Sequence, residues 1–129
     1  MDADRDGAED RLFQRIIIER TGSVLAERAQ LATDALSRMR GLLGRRDLPA
    51  GEAIILRPSS SIHTLFMAFA IDVIYVDRND QVVKTVAGLK PYRLSAARRA
   101  HTTIEMRAGS LVGQDIKPGD KLAFVDLET

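Results

Sequence analysis

Alternating apolar and polar positions dominate this sequence and predict a protein built mainly from β-strands. Residues 12–19 alternate around Ile16 and Ile18, which is typical of a strand with one apolar face. The pair Thr21-Gly22 favours a turn, so residues 23–32 are expected to return as the partner strand of a hairpin. The alanine and glutamate content of that second segment would also allow a helix.

Short apolar segments continue along the chain, separated by turn residues. Strands are predicted over residues 53–56, 71–76, 82–87, 102–107 and 121–127. Between them, residues 89–100 are predicted to form an irregular basic connection. In the strand 102–107, the alternation predicts Ile104 and Met106 facing inward and Glu105 and Arg107 facing outward.

In one segment the apolar residues recur at the spacing of a helix and not of a strand. Thr33 is a candidate N-cap, the next apolar residues recur at helical spacing, and Gly44 is a natural stop, so one short helix is predicted over about residues 34–43. Many short strands and one helix predict a compact, mainly β domain of the sandwich or barrel type.

The length of 129 residues suits one domain, predicted over residues 11–129. Residues 1–10 contain five acids and one arginine and are predicted to be a disordered acidic leader. They do not resemble a signal peptide, which favours a cytoplasmic protein, although an export signal removed beforehand would leave no trace.

The amino-acid composition limits which metals, cofactors and macromolecules the chain is expected to bind. The chain has no cysteine and only two histidines, so it offers few ligands for a metal. Neither a metal site nor a cofactor is predicted. Aromatic residues make up 5% and the net charge is +1, so neither nucleic acid nor a membrane is expected as a partner. The sequence does not indicate an oligomeric state.

Asp72 is the first candidate site residue, because it is a carboxylate inside the apolar run Ile71 to Val76. A carboxylate buried there needs a partner, and we expect an arginine from residues 38–46. The candidate arginines are Arg38, Arg40 and Arg45. Asp72 would then be a ligand or catalytic group at a pocket floor. The alternatives are a structural salt bridge or a strand-end cap that ties down a loop.

His63 is the second candidate, because it lies where a serine-rich stretch becomes apolar. It would serve as a general base or a ligand donor, or else as a core-edge histidine bonded to a backbone carbonyl. Met67 follows in an apolar segment and is predicted to be a core residue. It is included with His63 in the candidate site. The arginine cluster of residues 38–46 indicates either an anionic ligand or a solvated helix flank.

Three motifs in order resemble the domain of unknown function 192 family, prokaryotic proteins without an assigned activity. The motifs are RMRGLLGR at 38–45, IHTLFMAFAIDV at 62–73, and IEMRAG at 104–109 followed by IKPGD at 116–120. The resemblance implies a compact mainly β domain with a short helix and names no reaction. Ser59 stands where the family often has cysteine, Ala68 where it often has arginine and Ala70 where it often has proline. The first removes thiol chemistry, and the second weakens an anion pocket around this segment.

The sequence therefore predicts a small, non-catalytic binding or accessory module for a small or anionic ligand. The candidate ligand-binding residues are Arg38, Arg40, Arg45, His63, Met67 and Asp72. One alternative is a metal-independent, hydrolase-like enzyme in which Asp72 orients His63 as the base. Another alternative is a protein–protein adaptor that uses an exposed strand edge.

Overall fold

The computed structural model describes residues 13–32, 48–65 and 67–127. These residues form nine strands. The strands are β1 (Phe13–Ile18), β2 (Val24–Ala32), β3 (Glu52–Leu56), β4 (Ser61–His63), β5 (Ile71–Val76), β6 (Val82–Leu89), β7 (Leu94–Ala96), β8 (Thr102–Arg107) and β9 (Leu122–Asp126). The predicted leader, 1–10, and the predicted helix, 34–43, lie outside the described residues.

Seven strands form one sheet in the order β6-β5-β8-β3-β2-β1-β9. Neighbours are antiparallel except β2 and β3, which are parallel. The sheet curls until its two edge strands approach each other, where Gln81 pairs with Lys121 and the Val82 amide donates to the Asp120 carbonyl at 2.8 Å. The mainly β prediction is confirmed, in the form of a curled half-barrel.

Both faces of the curled sheet are covered by apolar side chains. The first face is the concave core of Ile16, Ile18, Leu25, Ala26, Ala29, Ala53, Ile55, Ile74, Val76, Val82, Ile104, Met106 and Leu122. The second face carries Ala32, Leu48, Ile54, Leu56, Met67, Ile71, Val73, Tyr75 and Ala97. The central strands are therefore apolar on both sides, unlike a strand with one wet face.

This double burial corrects the predicted orientation of Glu105. The strand β8 has the predicted bounds, and Ile104 and Met106 do lie in the first core. Glu105, however, lies opposite Ile54 and Val73 on the second face and is only 4% exposed. The prediction was wrong because a side chain that points away from one core here enters the other.

A short antiparallel ribbon of β4 and β7 lies over the second face. The Tyr75 hydroxyl of the sheet donates to Ser95 Oγ of the ribbon at 2.8 Å, and Ile62 packs against the second core. Lys84 Nζ donates to the Ala96 carbonyl at 2.8 Å. The segment predicted as an irregular connection thus contains β7, whose three residues are too few to show a pattern beside Pro91.

An ion-pair cluster fastens the corner where the sheet curls. Arg20 donates from Nε and Nη2 to the two carboxylate oxygens of Asp120, at 2.8 and 2.9 Å, and from Nη1 to Asp115 at 2.9 Å. These hydrogen bonds from Arg20 lower the pKa of Asp120 to about 2. The cluster ties the first hairpin to the turn before β9.

Candidate functional site

Asp72 lies on the first face and is 1% exposed. Its Oδ1 accepts the Gly88 amide at 2.8 Å, and its Oδ2 accepts the amides of Gly109 and Leu111 at 3.1 and 2.9 Å. The Gly88 contact spans a β-bulge in the β5–β6 ladder, where Gly88 has a φ of +65°. Asp72 therefore ties β6 and the turn after β8 to β5, which is the arrangement of the strand-end cap.

His63 lies on the ribbon, where it pairs with Leu94 and is exposed. A surface cavity of about 490 Å³ opens beside it. The cavity is lined by Ser61, Ile62, His63, Leu94, Ser95 and Ala96. Hydroxyls and an imidazole thus stand beside apolar side chains, which is the mixture found in sites for small molecules.

The structure does not bring His63 and Asp72 together. Asp72 belongs to the first face, and its carboxylate is occupied by backbone amides from β6 and from the turn after β8. His63 belongs to the ribbon that covers the second face. The sheet separates the two side chains, so the described residues do not form the base and orienter of the hydrolase alternative.

The other predicted site residues fall into two groups. Met67 is 5% exposed and packs in the second core, beneath the turn held by Thr64, whose Oγ1 donates to the Lys90 carbonyl at 2.6 Å. Arg38, Arg40 and Arg45 lie outside the described residues, and so does any pairing of theirs with Asp72. Of the predicted site residues that the structure describes, only His63 lines the cavity.

Glu105 is the candidate that the sequence reasoning missed. Its Oε2 atom is buried and has no hydrogen-bond partner among the described residues. Burial raises the pKa of Glu105 to about 7, so its protonation state changes near neutral pH. A buried carboxylate with one oxygen unpaired among the described residues and a raised pKa is a candidate functional position. Its place in the Ile104-Glu105 motif was the available signal, which the alternation of the strand overrode.

Tyr75 links the layer of Glu105 to the cavity. Tyr75 and Glu105 are diagonal neighbours on the second face, since Tyr75 pairs with Thr103 and Glu105 pairs with Val73. Burial raises the pKa of Tyr75, the hydrogen bond to Ser95 lowers it, and the nearby Glu105 charge raises it by a smaller amount. Because Ser95 also lines the cavity, the Tyr75 hydroxyl bonds to the cavity wall, while the strand of Tyr75 pairs with the strand of Glu105.

The segments that form and flank the ribbon carry one sign of charge. Residues 53–71 and 81–104 contain no aspartate or glutamate. The exposed cations of the second of these segments are Lys84, Lys90, Arg93, Arg98 and Arg99. The net charge of +1 for the whole chain conceals this separation, because the acids lie in other segments.

Comparison with known proteins identifies the family of this chain. The model of the DUF192 family, described as "Uncharacterized ACR", matches residues 16–124. A UPF0127 protein of Pyrococcus furiosus is 31% identical over 109 residues, which cover 80% of this chain and 91% of that protein. The chain belongs to the DUF192 family, whose function is unknown.

Solved structures share the fold. A Sinorhizobium meliloti protein with the provisional name of a transcription regulator matches with a TM-score of 0.76 and 18% identity, over 89% of this chain and 94% of that one. A protein of unknown function from Novosphingobium aromaticivorans matches with a TM-score of 0.70 and 21% identity, over 86% and 83%. At these identities the likeness concerns the fold alone.

Two further findings concern the described residues only. They contain no helix long and apolar enough to cross a membrane. They also contain no group of three or more histidine, aspartate or glutamate side chains placed to hold a metal ion.

Proposed function

We propose that this chain is a non-catalytic binding module that holds a small anionic ligand at the ribbon cavity. The observation that carries the proposal is that the segments forming the ribbon and its flanks contain exposed cations and no acid. Unbalanced cations attract an anion and raise its local concentration. The hydroxyls of Ser61 and Ser95 and the imidazole of His63 supply hydrogen-bond donors for its oxygens.

The separation of His63 from Asp72 supports binding in preference to hydrolysis. A general base needs an orienting group, and the segments that form the ribbon contain no carboxylate. The arginines Arg38, Arg40 and Arg45 stay in the proposal as predicted ligand contacts, on the strength of the sequence alone.

Binding is tested by calorimetric titration with inorganic phosphate, a phosphomonoester and succinate, with glycerol as the neutral control. We expect Arg93→Gln to lower the affinity for the best anion about fivefold, the loss of one charge interaction near a surface. Arg78→Gln removes an exposed cation from the Asp77–Asp80 turn and should leave the affinity unchanged. Equal effects of the two variants, or equal binding of glycerol, would contradict the proposal.

A further inference from the structure

Exposed apolar side chains collect at one end of the ribbon. Among the described residues, five large apolar side chains are exposed, and Leu65, Tyr92 and Leu94 are three of them. Backbone hydrogen bonds bring their turns together, since the Thr64 amide donates to the Arg93 carbonyl and the Tyr92 amide donates to the Thr64 carbonyl, both at 2.9 Å. We name residues 63–65 and 90–94 the ribbon tip.

The ribbon tip combines these apolar groups with cations. Lys90 and Arg93 alternate along the chain with Tyr92 and Leu94, and all four side chains are exposed. Leu94 is 80% exposed and Tyr92 is 60% exposed, so a large part of each could enter an apolar phase. A surface that interleaves aromatic and aliphatic groups with cations fits the boundary of a bilayer, where phosphates lie above acyl chains.

We propose that the ribbon tip docks on an anionic lipid surface, with Tyr92 and Leu94 entering the headgroup boundary and Lys90 and Arg93 pairing with lipid phosphates. This inference rests on the proposed function, because it makes the bound anion a lipid headgroup. Nucleic acid offers the same phosphates but no apolar phase for Leu94. The net charge, which favours no membrane partner, does not report this local separation.

The test is co-sedimentation with phosphatidylcholine vesicles, prepared with and without phosphatidylglycerol. We expect binding only when the anionic lipid is present, and a loss of about tenfold in partitioning for Tyr92→Ser and for Leu94→Ser. Val112→Ser is the matched control, because Val112 is 81% exposed and lies outside the ribbon tip. It should partition like the parent.

Three results would overturn the docking proposal. They are absence of binding to anionic vesicles, binding that survives both serine variants, and tighter binding to duplex DNA than to vesicles at equal phosphate concentration. Tyr92 does not line the cavity, so Tyr92→Ser should keep its affinity for free inorganic phosphate. If the unmodified chain binds phosphate but not vesicles, only the docking proposal is refuted. If it binds neither, the proposed function is refuted as well.

Discussion

Asp72 and Glu105 are both buried carboxylates, and they lie on adjacent paired strands of one sheet, yet the protein treats them differently. Asp72, on the first face, accepts three backbone amides. Glu105, on the second face, has an oxygen with no partner among the described residues. Burial of a charged side chain therefore does not by itself indicate a functional role. The satisfied carboxylate holds the fold together, and the unsatisfied one lies in the layer beneath the candidate site.

Removing the Asp72 charge should give the largest loss of stability. In Asp72→Asn, an NH2 donor replaces one acceptor oxygen and the charge is lost, so at least one backbone amide loses its acceptor and the others keep only a neutral one. We expect the free energy of unfolding to fall by about 3 kcal/mol. Urea denaturation measures the loss, and hydrogen exchange should show faster exchange at Gly88 or Leu111.

The control for this experiment is Glu27→Gln, which removes the exposed ion pair between Arg15 and Glu27, 3.2 Å long. Such a pair contributes about 1 kcal/mol or less. If Asp72→Asn unfolds at the same urea concentration as Glu27→Gln, the account of Asp72 as a structural cap is wrong.

Removing the Glu105 charge should raise the free energy of unfolding, whereas removing the Asp72 charge should lower it. Its pKa is about 7 in the folded protein and 4.5 in the unfolded chain, so the folded state binds the proton more tightly. Stability from this group is therefore full below pH 4.5, decreases as the pH rises to about 7, and then stays constant. Glu105→Gln should remove that slope and gain up to about 3 kcal/mol above pH 7.

Denaturation of the parent and of Glu105→Gln at a series of pH values checks this prediction. The difference between the two curves isolates Glu105 from the other carboxylates. A constant difference from pH 4.5 to pH 7 would show that Glu105 keeps an ordinary pKa and has a partner in the folded protein.

The corner cluster should give a smaller effect in a different pH range. Arg20 lowers the pKa of Asp120 to about 2, below its usual 3.8. The resulting stability is present above about pH 4 and is lost as the pH falls toward 2. Asp120→Asn should therefore flatten the acid side of the stability curve without changing the slope between pH 4.5 and pH 7. If Asp120→Asn also changes the slope of stability against pH between pH 4.5 and pH 7, the corner cluster and Glu105 are coupled, contrary to this prediction.

Local patterns predicted much of the fold. The strands over 71–76 and 102–107 have the predicted bounds, because a run of apolar residues between turn signals specifies a strand wherever it packs. The ribbon strand β7 was missed, since its three residues owe their pairing to β4 and not to their own periodicity. The parallel pairing of β2 with β3 and the curl of the sheet depend on contacts between distant segments, which a local pattern does not encode.

The candidate site was less predictable. His63 and Asp72 are close in sequence, and their grouping assumed that closeness in the chain means closeness in space. The fold places them on opposite sides of a sheet that is buried on both faces. Glu105 was assigned to solvent by the same assumption of one wet face. In both cases the missing information was the ribbon, which covers the second face.

The ribbon, and not the surroundings of Asp72, is the proposed ligand face. The most direct measurement is a titration of ¹⁵N-labelled protein with the anion that binds best by calorimetry, followed by amide chemical shifts. We expect shifts concentrated at Ser61, His63, Arg93 and Ser95. Shifts confined to Gly88, Gly109 and Leu111, the amides that bind the Asp72 carboxylate, would contradict it.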